Sequence, residues 1–292
     1  MFFIACLAGL LHQAPISSAE QTITFAEVRA ILDESRSERA DLFSSGYFQS
    51  GLNALNQAEE DSMAGRSGRR IDQDLQAAYS FFEKALNTAK QMRTSFPDLV
   101  DAYDDAQAAE AQTWAPERYE PAVRSFNRVV AKLERADVES ASREEERAVQ
   151  LLRQAELEAI KSDVLGPVKD LQRKAAAAKS SELTPSLYAQ ADEALKRTER
   201  YVEEHRYDRE TGARMAQEAT DILSHAFYMT ERISSLKERP DGWEISILQY
   251  ERYIEEIGRI LQLDPRFDRD AAIAVESIKA SIRALQDDLR YL

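Results

Sequence analysis

Two histidines are the first side chains of this sequence that could do chemistry. Beyond residue 20 the only histidines are His205 and His225, and one possible role for them is a shared metal site. They are twenty residues apart and fall on different predicted helices. We therefore favour the alternative, in which the segment His225-Ala226-Phe227-Tyr228 forms a helix–helix contact with the imidazole hydrogen-bonded.

Grouped carboxylates are the second candidate, because a carboxyl with a raised pKa in a cleft can act as a general acid or base. Since Arg and Lys alternate with these carboxylates, we expect them to form solvated helix surface. The groups are Asp104-Asp105, Glu144-Glu145-Glu146 and Glu255-Glu256.

Motifs for catalysis are missing from the sequence: it contains no nucleophile elbow, Walker loop, dinucleotide fingerprint or His-Glu-x-x-His. We therefore predict that the protein is not an enzyme. We assign no catalytic, cofactor-binding or metal-binding residue, and no cofactor.

An aromatic set and a basic cluster complete the candidates. Trp114, Tyr119, Tyr188 and Trp243 could form a ligand platform, but they recur near predicted helix starts, which favours core anchors.

The cluster Arg66, Arg69 and Arg70 could hold an anion or face lipid phosphates. Its two glycines and its lack of an aromatic neighbour favour a solvated hairpin loop instead.

Composition indicates long helices that would position these residues. The chain has 292 residues, 43% of them hydrophobic, with only 9 Gly and 8 Pro, which predicts an all-α fold with a real core. The net charge of −14 argues against a nucleic-acid partner, because binding to phosphates depends on clustered Lys and Arg.

A phrase used twice indicates repeated helical units. Trp114–Ala122 reads Trp-Ala-Pro-Glu-Arg-Tyr-Glu-Pro-Ala and returns at Leu183–Ala191 as Leu-Thr-Pro-Ser-Leu-Tyr-Ala-Gln-Ala, with a fainter copy at Phe48, Gly51 and Leu55. Pro116 and Pro185 suit the first turn of a helix, since the fixed φ of proline is already helical. Each copy therefore predicts the first helix of a hairpin.

Apolar spacing predicts the remaining helices and their ends, among them Phe25–Phe43, Leu99–Thr113 and a helical connector that contains the alanine run Ala175–Ala178. Breaks are expected at Gly166-Pro167 and at the turn Arg239–Gly242, after which two heptad stripes predict an antiparallel hairpin packed knobs-into-holes. The stripes are Trp243, Ile247, Tyr250, Ile254, Ile257 and Leu261, then Ala271, Val275, Ile278, Ile282, Leu285 and Leu289.

The predicted architecture is an elongated array of antiparallel helical hairpins, either a repeat solenoid or a coiled-coil-like bundle. We divide it into a signal peptide (1–19), a first helical unit with its connector (20–110), a second unit (111–180), a third unit (181–238) and a C-terminal helical hairpin (239–292).

The N-terminus has the outline of a secretory signal peptide. An apolar run, Phe2–Leu11, precedes Ser17-Ser18-Ala19, which predicts cleavage before Glu20; the alternative is a buried N-terminal helix. The sole cysteine, Cys6, falls inside this segment. No later apolar stretch is long enough to span a bilayer, so we expect an exported chain, periplasmic or associated with the outer membrane.

Several further phrases resemble the helical, alanine-rich N-terminal region of uncharacterised OmpA-family envelope proteins. The resemblance implies export, no established catalytic residue, and a peptidoglycan-binding domain after the helical region. This sequence ends at Leu292, before such a domain, so we assign peptidoglycan binding to no residue and expect that partner only if a further domain exists. The phrases are Ala108–Ala111 through Tyr119, Glu156–Lys161, Thr184-Pro185 with Ala191, Arg206–Asp208, and Glu218-Ala219 with His225-Ala226.

Three hypotheses for function follow. The favoured one is a non-enzymatic stalk, spacer or scaffold between envelope proteins. The second is a repeat-type adaptor that binds a protein or peptide in a groove lined by Tyr47, Tyr79 and Tyr103. The third is an enzyme acting on cell-wall glycan through a carboxylate pair.

Overall fold

The computed structural model describes residues 22–267 and 270–290, and this part of the chain is all α-helical, as predicted. The predicted signal peptide and Cys6 lie outside the described residues. The helices are α1 (Phe25–Ser37), α2 (Ala40–Phe43), α3 (Ser45–Met63), α4 (Gly68–Ser95), α5 (Pro97–Ala108), α6 (Ala111–Trp114), α7 (Pro116–Glu134), α8 (Val138–Ala177), α9 (Ser180–Leu183), α10 (Pro185–Glu204), α11 (Arg209–Lys237), α12 (Gly242–Ile260) and α13 (Ala271–Arg290).

The repeated phrase begins a long helix each time. Pro116 is the first residue of α7 and Pro185 the first of α10, while the fainter copy lies in α3. A helix of only four residues precedes each long helix, and a residue in the left-handed conformation precedes each short one. These residues are Arg39 (φ 59°), Glu110 (φ 53°) and Lys179 (φ 66°).

The left-handed residues correct three predicted helices. Phe25–Phe43, Leu99–Thr113 and the alanine-rich connector were each expected to be continuous, but they break at Arg39, Glu110 and Lys179 respectively. None of the three is Gly or Asn, the residues that usually occupy this conformation. Sequence pattern therefore carried no signal for the breaks.

The expected break at Gly166-Pro167 is wrong, because α8 continues through both residues to Ala177. Proline removes one helical hydrogen bond, but buried neighbours on both sides, Leu165 and Val168, pack into a core. Packing of this apolar face outweighs the local preference of the Gly-Pro pair.

The helices divide into two compact units, one up to Ala159 and the other from Ile160. This boundary falls inside the predicted unit 111–180. In the first unit, α3 and α4 form a hairpin around a core rich in phenylalanine. The rings of Phe43 and Phe126 lie 6.3 Å apart and those of Phe48 and Phe82 5.7 Å apart, and burial of each stabilises the fold by about 1.5–3 kcal/mol.

The second unit has a smaller, aliphatic core. Leu165 and Val168 of α8 pack with Leu195 of α10 and Leu223 of α11, and all four are almost fully buried. Four alanines, Ala175, Ala191, Ala194 and Ala219, complete this cluster and let the helices approach closely. Helices α12 and α13 belong to the same unit but contribute far fewer buried residues.

Candidate interaction surface

The two histidines do not form a metal site. His205 follows the last residue of α10 and stacks on Tyr201, with ring centroids 4.5 Å apart, whereas His225 lies on α11 and is exposed. Within the segment predicted to form a helix–helix contact, Ala226 is buried and Phe227 packs against the core, while His225 and Tyr228 are exposed. Across the described residues, no cluster of three or more His, Cys, Asp or Glu could hold a metal ion.

Two of the three acidic groups contain carboxylates in ion pairs on the helix surfaces, and Glu255 and Glu256 are exposed. Asp104 accepts two hydrogen bonds from the guanidinium of Arg39, at 2.8 and 2.7 Å. Glu144 accepts from Lys132 at 2.5 Å and from Arg128 at 3.1 Å. These two bonds, that of Lys132 first, hold the pKa of Glu144 below its usual value. A carboxylate held ionised in this way is not a general acid.

Glu145 is the carboxyl in these groups whose pKa is raised. Burial is the larger cause, and the negative charge of Asp98 on α5 adds to it. Asp98 itself is exposed to solvent. The pair therefore does not have the enclosed geometry that a glycan-cleaving carboxylate pair needs.

The basic loop faces a buried carboxylate that sequence reasoning missed. Asp61 at the end of α3 is fully buried; its Oδ1 accepts hydrogen bonds at 2.8 Å from both Arg66 and Gln57, and its Oδ2 lies 2.6 Å from Nε of Arg70. The loop is a hairpin turn, as predicted, with Gly65 at φ 65°. Arg66 and Arg70 thus neutralise an internal charge, which argues against the anion site.

The aromatic set divides into core and surface. Tyr119 is buried and Tyr188 packs partly against the second core, so both are anchors, as predicted. Trp114 is 43% exposed and Trp243 is 55% exposed, so that prediction is wrong for them. Trp114 ends the four-residue helix α6, and Trp243 begins α12, where few helices pack over it.

The tyrosine groove of the adaptor hypothesis is not formed as expected. Tyr103 is buried, with its ring 4.6 Å from that of Phe126. Tyr47 is half-buried, and its hydroxyl donates to the backbone carbonyl of Glu134 at 2.6 Å. Tyr79 is also half-buried and lines a shallow groove beside α1. The rings serve packing within the first unit.

Exposed apolar side chains concentrate at the C-terminal hairpin instead. Among the described residues, twelve of the seventeen large hydrophobic side chains with high exposure lie on α12 and α13. Nine of the twelve lie on or beside the two apolar stripes, and we call these nine the C-terminal apolar face. They are Trp243, Ile247, Tyr250, Tyr253, Ile257 and Ile260 of α12, with Val275, Ile282 and Leu285 of α13. Ile245, Leu248 and Ile273 lie on the other sides of their helices.

The predicted knobs-into-holes hairpin is only partly formed. On α13 the stripe residue Ile278 is buried, but Ile247, Tyr250 and Leu285 are 59%, 56% and 52% exposed. One cause is local: the loop after α12 folds back so that Pro265 covers Gly258, where an added Cβ would lie 2.4 Å from the proline ring. Gly258 flanks the predicted seam between α12 and α13, and the loop after α12 occupies the space beside Gly258.

Charges around the face are mixed rather than basic. Helix α12 carries Glu244, Glu251, Glu255 and Glu256 with Arg252 and Arg259, while α13 carries Glu276, Asp287 and Asp288 with Lys279, Arg283 and Arg290. Lys279 contacts Glu276 of its own helix at 2.6 Å. An amphipathic helix that lies on anionic lipid is usually rich in Lys and Arg on its polar face, whereas on α12 and α13 the carboxylates are at least as numerous as Lys and Arg.

The size of the face indicates a binding surface. The largest apolar patch on a typical monomer is about 300–600 Å². The nine side chains are each about half exposed and together expose on the order of 800 Å², since a large side chain of this kind has about 150–250 Å² of surface. By length and hydropathy, none of the helices in residues 22–267 and 270–290 qualifies as a membrane span.

No protein-family model, curated protein or solved structure matches this chain.

Proposed function

We propose that this protein is a non-enzymatic helical scaffold of the bacterial cell envelope that acts through its C-terminal apolar face. The observation that carries the proposal is the contrast between the two ends of the chain. Helices α1–α11 bury most of their apolar stripes and pair many of their charges, whereas α12 and α13 expose twelve large apolar side chains. Such a face gains free energy by binding another surface.

Export is supported by the sequence. The apolar run before Ser17-Ser18-Ala19 has the pattern of a cleaved signal peptide, and the resemblance to OmpA-family helical regions points to the same compartment. Envelope proteins are the partners we propose, with peptidoglycan as a partner only through a further domain.

Helix length supports a stalk or spacer role for the scaffold. Helix α8 has 40 residues, and at about 1.5 Å per residue it is about 60 Å long. Helices α4 and α11, with 28 and 29 residues, are each about 40 Å long. Long helices of this kind suit a protein that holds other components at a distance.

The adaptor remains the second candidate, but its binding site differs from the predicted one. The buried ring of Tyr103 argues against the tyrosine-lined groove. The C-terminal apolar face would take over as the surface that binds a partner helix. Scaffold and adaptor then differ in whether the chain spaces its partners apart or only joins them.

Subcellular fractionation with site-specific photo-crosslinking tests the proposal. The full chain is expressed in a Gram-negative host with an epitope inserted at the exposed turn residue Gly65. We expect the tagged protein in the periplasmic or outer-membrane fraction, with a mature N-terminus at Glu20. A chain with an intact N-terminus in the cytoplasm contradicts the envelope assignment.

A photo-crosslinker placed at Tyr250 tests whether the C-terminal apolar face binds a partner. The same crosslinker at Met63, which is 83% exposed, is the matched control. We expect defined crosslinked products from Tyr250 only. Equal products from both positions contradict a role for the C-terminal apolar face. Small-angle scattering then tests the spacer role, which a compact particle would contradict.

A further inference from the structure

We propose that the C-terminal apolar face binds a second copy of this chain, so that α12 and α13 of two copies form a four-helix bundle. The inference deepens the proposed function by naming the partner of that face. It requires only that the face is a binding surface and does not depend on export. The argument uses the spacing, width, charge and area of the face.

The spacing of the two stripes makes the hairpin complementary to itself. Both helices have apolar residues at alternating steps of four and three, the heptad pattern of packed helices. Placed antiparallel, they match in register layer by layer, because each residue of one stripe meets one residue of the other. The matched pairs include Ile247 with Leu285, Tyr250 with Ile282, Ile254 with Ile278 and Ile257 with Val275.

The width of the face requires more than one partner helix. A two-stranded coiled coil covers a narrow seam of two positions per heptad, whereas a helix in a larger bundle has a wider apolar stripe. Tyr253 and Ile260 flank the seam on one side of α12 and are 49% and 81% exposed. A single partner helix cannot cover both the seam residues and these flanking residues. A second hairpin supplies two more helices and can cover them.

Charge favours α12 of one copy beside α13 of the other. In the matched antiparallel register, Glu251 and Lys279 flank the seam at facing positions, so a contact between copies joins opposite charges. If α12 packed beside its own counterpart, the seam-flanking residues Glu244 and Glu251 would face the same glutamates of the other copy, which is unfavourable. A two-fold symmetric contact between α12 and α13 forms this favourable pairing twice.

The exposed area is sufficient for a dimer. A stable protein–protein interface buries about 800 Å² on each partner. The C-terminal apolar face exposes on the order of 800 Å² of apolar side chain, by the areas typical of such residues. A symmetric contact through this face alone therefore reaches the size of a specific interface.

Sedimentation equilibrium of the purified full chain tests the proposal, with the monomer mass taken from mass spectrometry of the same sample. We expect a dimer in the micromolar range. The double variant Ile247→Asp/Leu285→Asp is expected to weaken the dimer at least about 100-fold. Both side chains are exposed in the single chain, so its helical circular dichroism should be unchanged. Met63→Asp, a change at another exposed apolar residue, should leave the dimer intact.

Charge reversal provides a second test that a general loss of stability would not imitate. Glu251→Lys alone should weaken the dimer, and adding Lys279→Glu should restore it. A chain that is monomeric at all concentrations overturns the proposal. So does a dimer that persists in Ile247→Asp/Leu285→Asp, or a chain that stays monomeric and binds vesicles of neutral lipid through this face. None of these outcomes bears on whether the protein is exported.

Discussion

The carboxylate of Glu134 accepts a hydrogen bond at 2.9 Å from the backbone N–H of Gly46, a residue 88 positions earlier in the chain. The same oxygen accepts from the backbone N–H of Tyr47 and from the hydroxyl of Ser44. Ser44 is the N-cap residue of α3, but its side chain does not cap that helix. The last residue of α7 therefore caps α3 from outside.

Removing this carboxylate should destabilise the first unit. Glu134→Ala leaves the first N–H groups of α3 without their acceptor, and loss of a helix cap costs about 0.5–2 kcal/mol. Urea denaturation followed by circular dichroism measures the change. The control is Glu120→Ala on the same helix, which removes only an exposed contact with Arg124 at 3.5 Å and should change stability by less than about 0.5 kcal/mol. Equal effects would contradict the capping role.

Gly51→Ala should destabilise the protein, although alanine is the better helix former by about 1 kcal/mol. A Cβ at this position would lie 2.7 Å from the ring of Phe82, which is fully buried and cannot move aside. Overpacking of this kind costs about 1–3 kcal/mol. Thermal unfolding should show a lower Tm for Gly51→Ala and an unchanged or higher Tm for Gly68→Ala, where nothing lies near the added Cβ. A stabilised Gly51→Ala protein would show that the close helix crossing is absent.

Asp61→Asn should destabilise the α3–α4 hairpin by about 1.5–3 kcal/mol, because the neutral amide loses the charge-assisted hydrogen bonds from Arg66 and Arg70. Equilibrium unfolding in urea measures the difference. Asp72→Asn, at an exposed position on α4, is the control and should be nearly neutral. Arg66→Ala should cost less than Asp61→Asn, since Arg70 remains to neutralise the carboxylate. The reverse order would mean that the buried carboxylate is not central to the turn.

The N-cap residue of α11, Asp208, should make the stability of the protein depend on pH in the acid range. Asp208 accepts hydrogen bonds from the hydroxyl of Tyr201, the larger cause, and from Thr211, and these bonds lower its pKa below the usual 3.8. Because the pKa is lower in the folded state, the ionised carboxylate stabilises the protein at pH values above the usual pKa. That stability is lost as the pH falls through the folded-state pKa.

Asp208→Ala should therefore lower the Tm at pH 7, and the difference from the unmodified protein should shrink as the pH falls below about 4. Thermal unfolding followed by circular dichroism across this range measures it. Asp163→Ala, at an exposed position inside α8, should show no such trend. A Tm difference for Asp208→Ala that is constant from pH 7 to the acid limb would contradict the linkage.

Periodicity and composition were sufficient to predict the all-α class, the starts of α7 and α10 at Pro116 and Pro185, and the turn before α12. These features depend on local preferences and on apolar spacing, which the sequence displays directly. The breaks at Arg39, Glu110 and Lys179 were not predictable, because a charged residue enters the left-handed region only when packing elsewhere favours it.

The candidate surface was the less predictable part. The stripes of α12 and α13 were recognised from the sequence, but they were expected to bury one another. Whether a heptad residue such as Ile247 packs within the chain or stays exposed depends on the approach of two helices, which spacing alone does not determine. The contacts of Asp61 and Glu134 were missed because an acidic residue on a helix ordinarily indicates solvent exposure.

The cap on α3 also orders events during folding. Gly46 emerges from the ribosome long before Glu134, since 88 residues separate them, and at about 5–20 residues per second synthesis of that interval takes about 4–18 s. Throughout this time the first turn of α3 has only water for its free N–H groups. The N-terminal hairpin therefore reaches its final stability only after α7 has been synthesised and has docked, so nascent chains that stop short of residue 134 should be more sensitive to proteases.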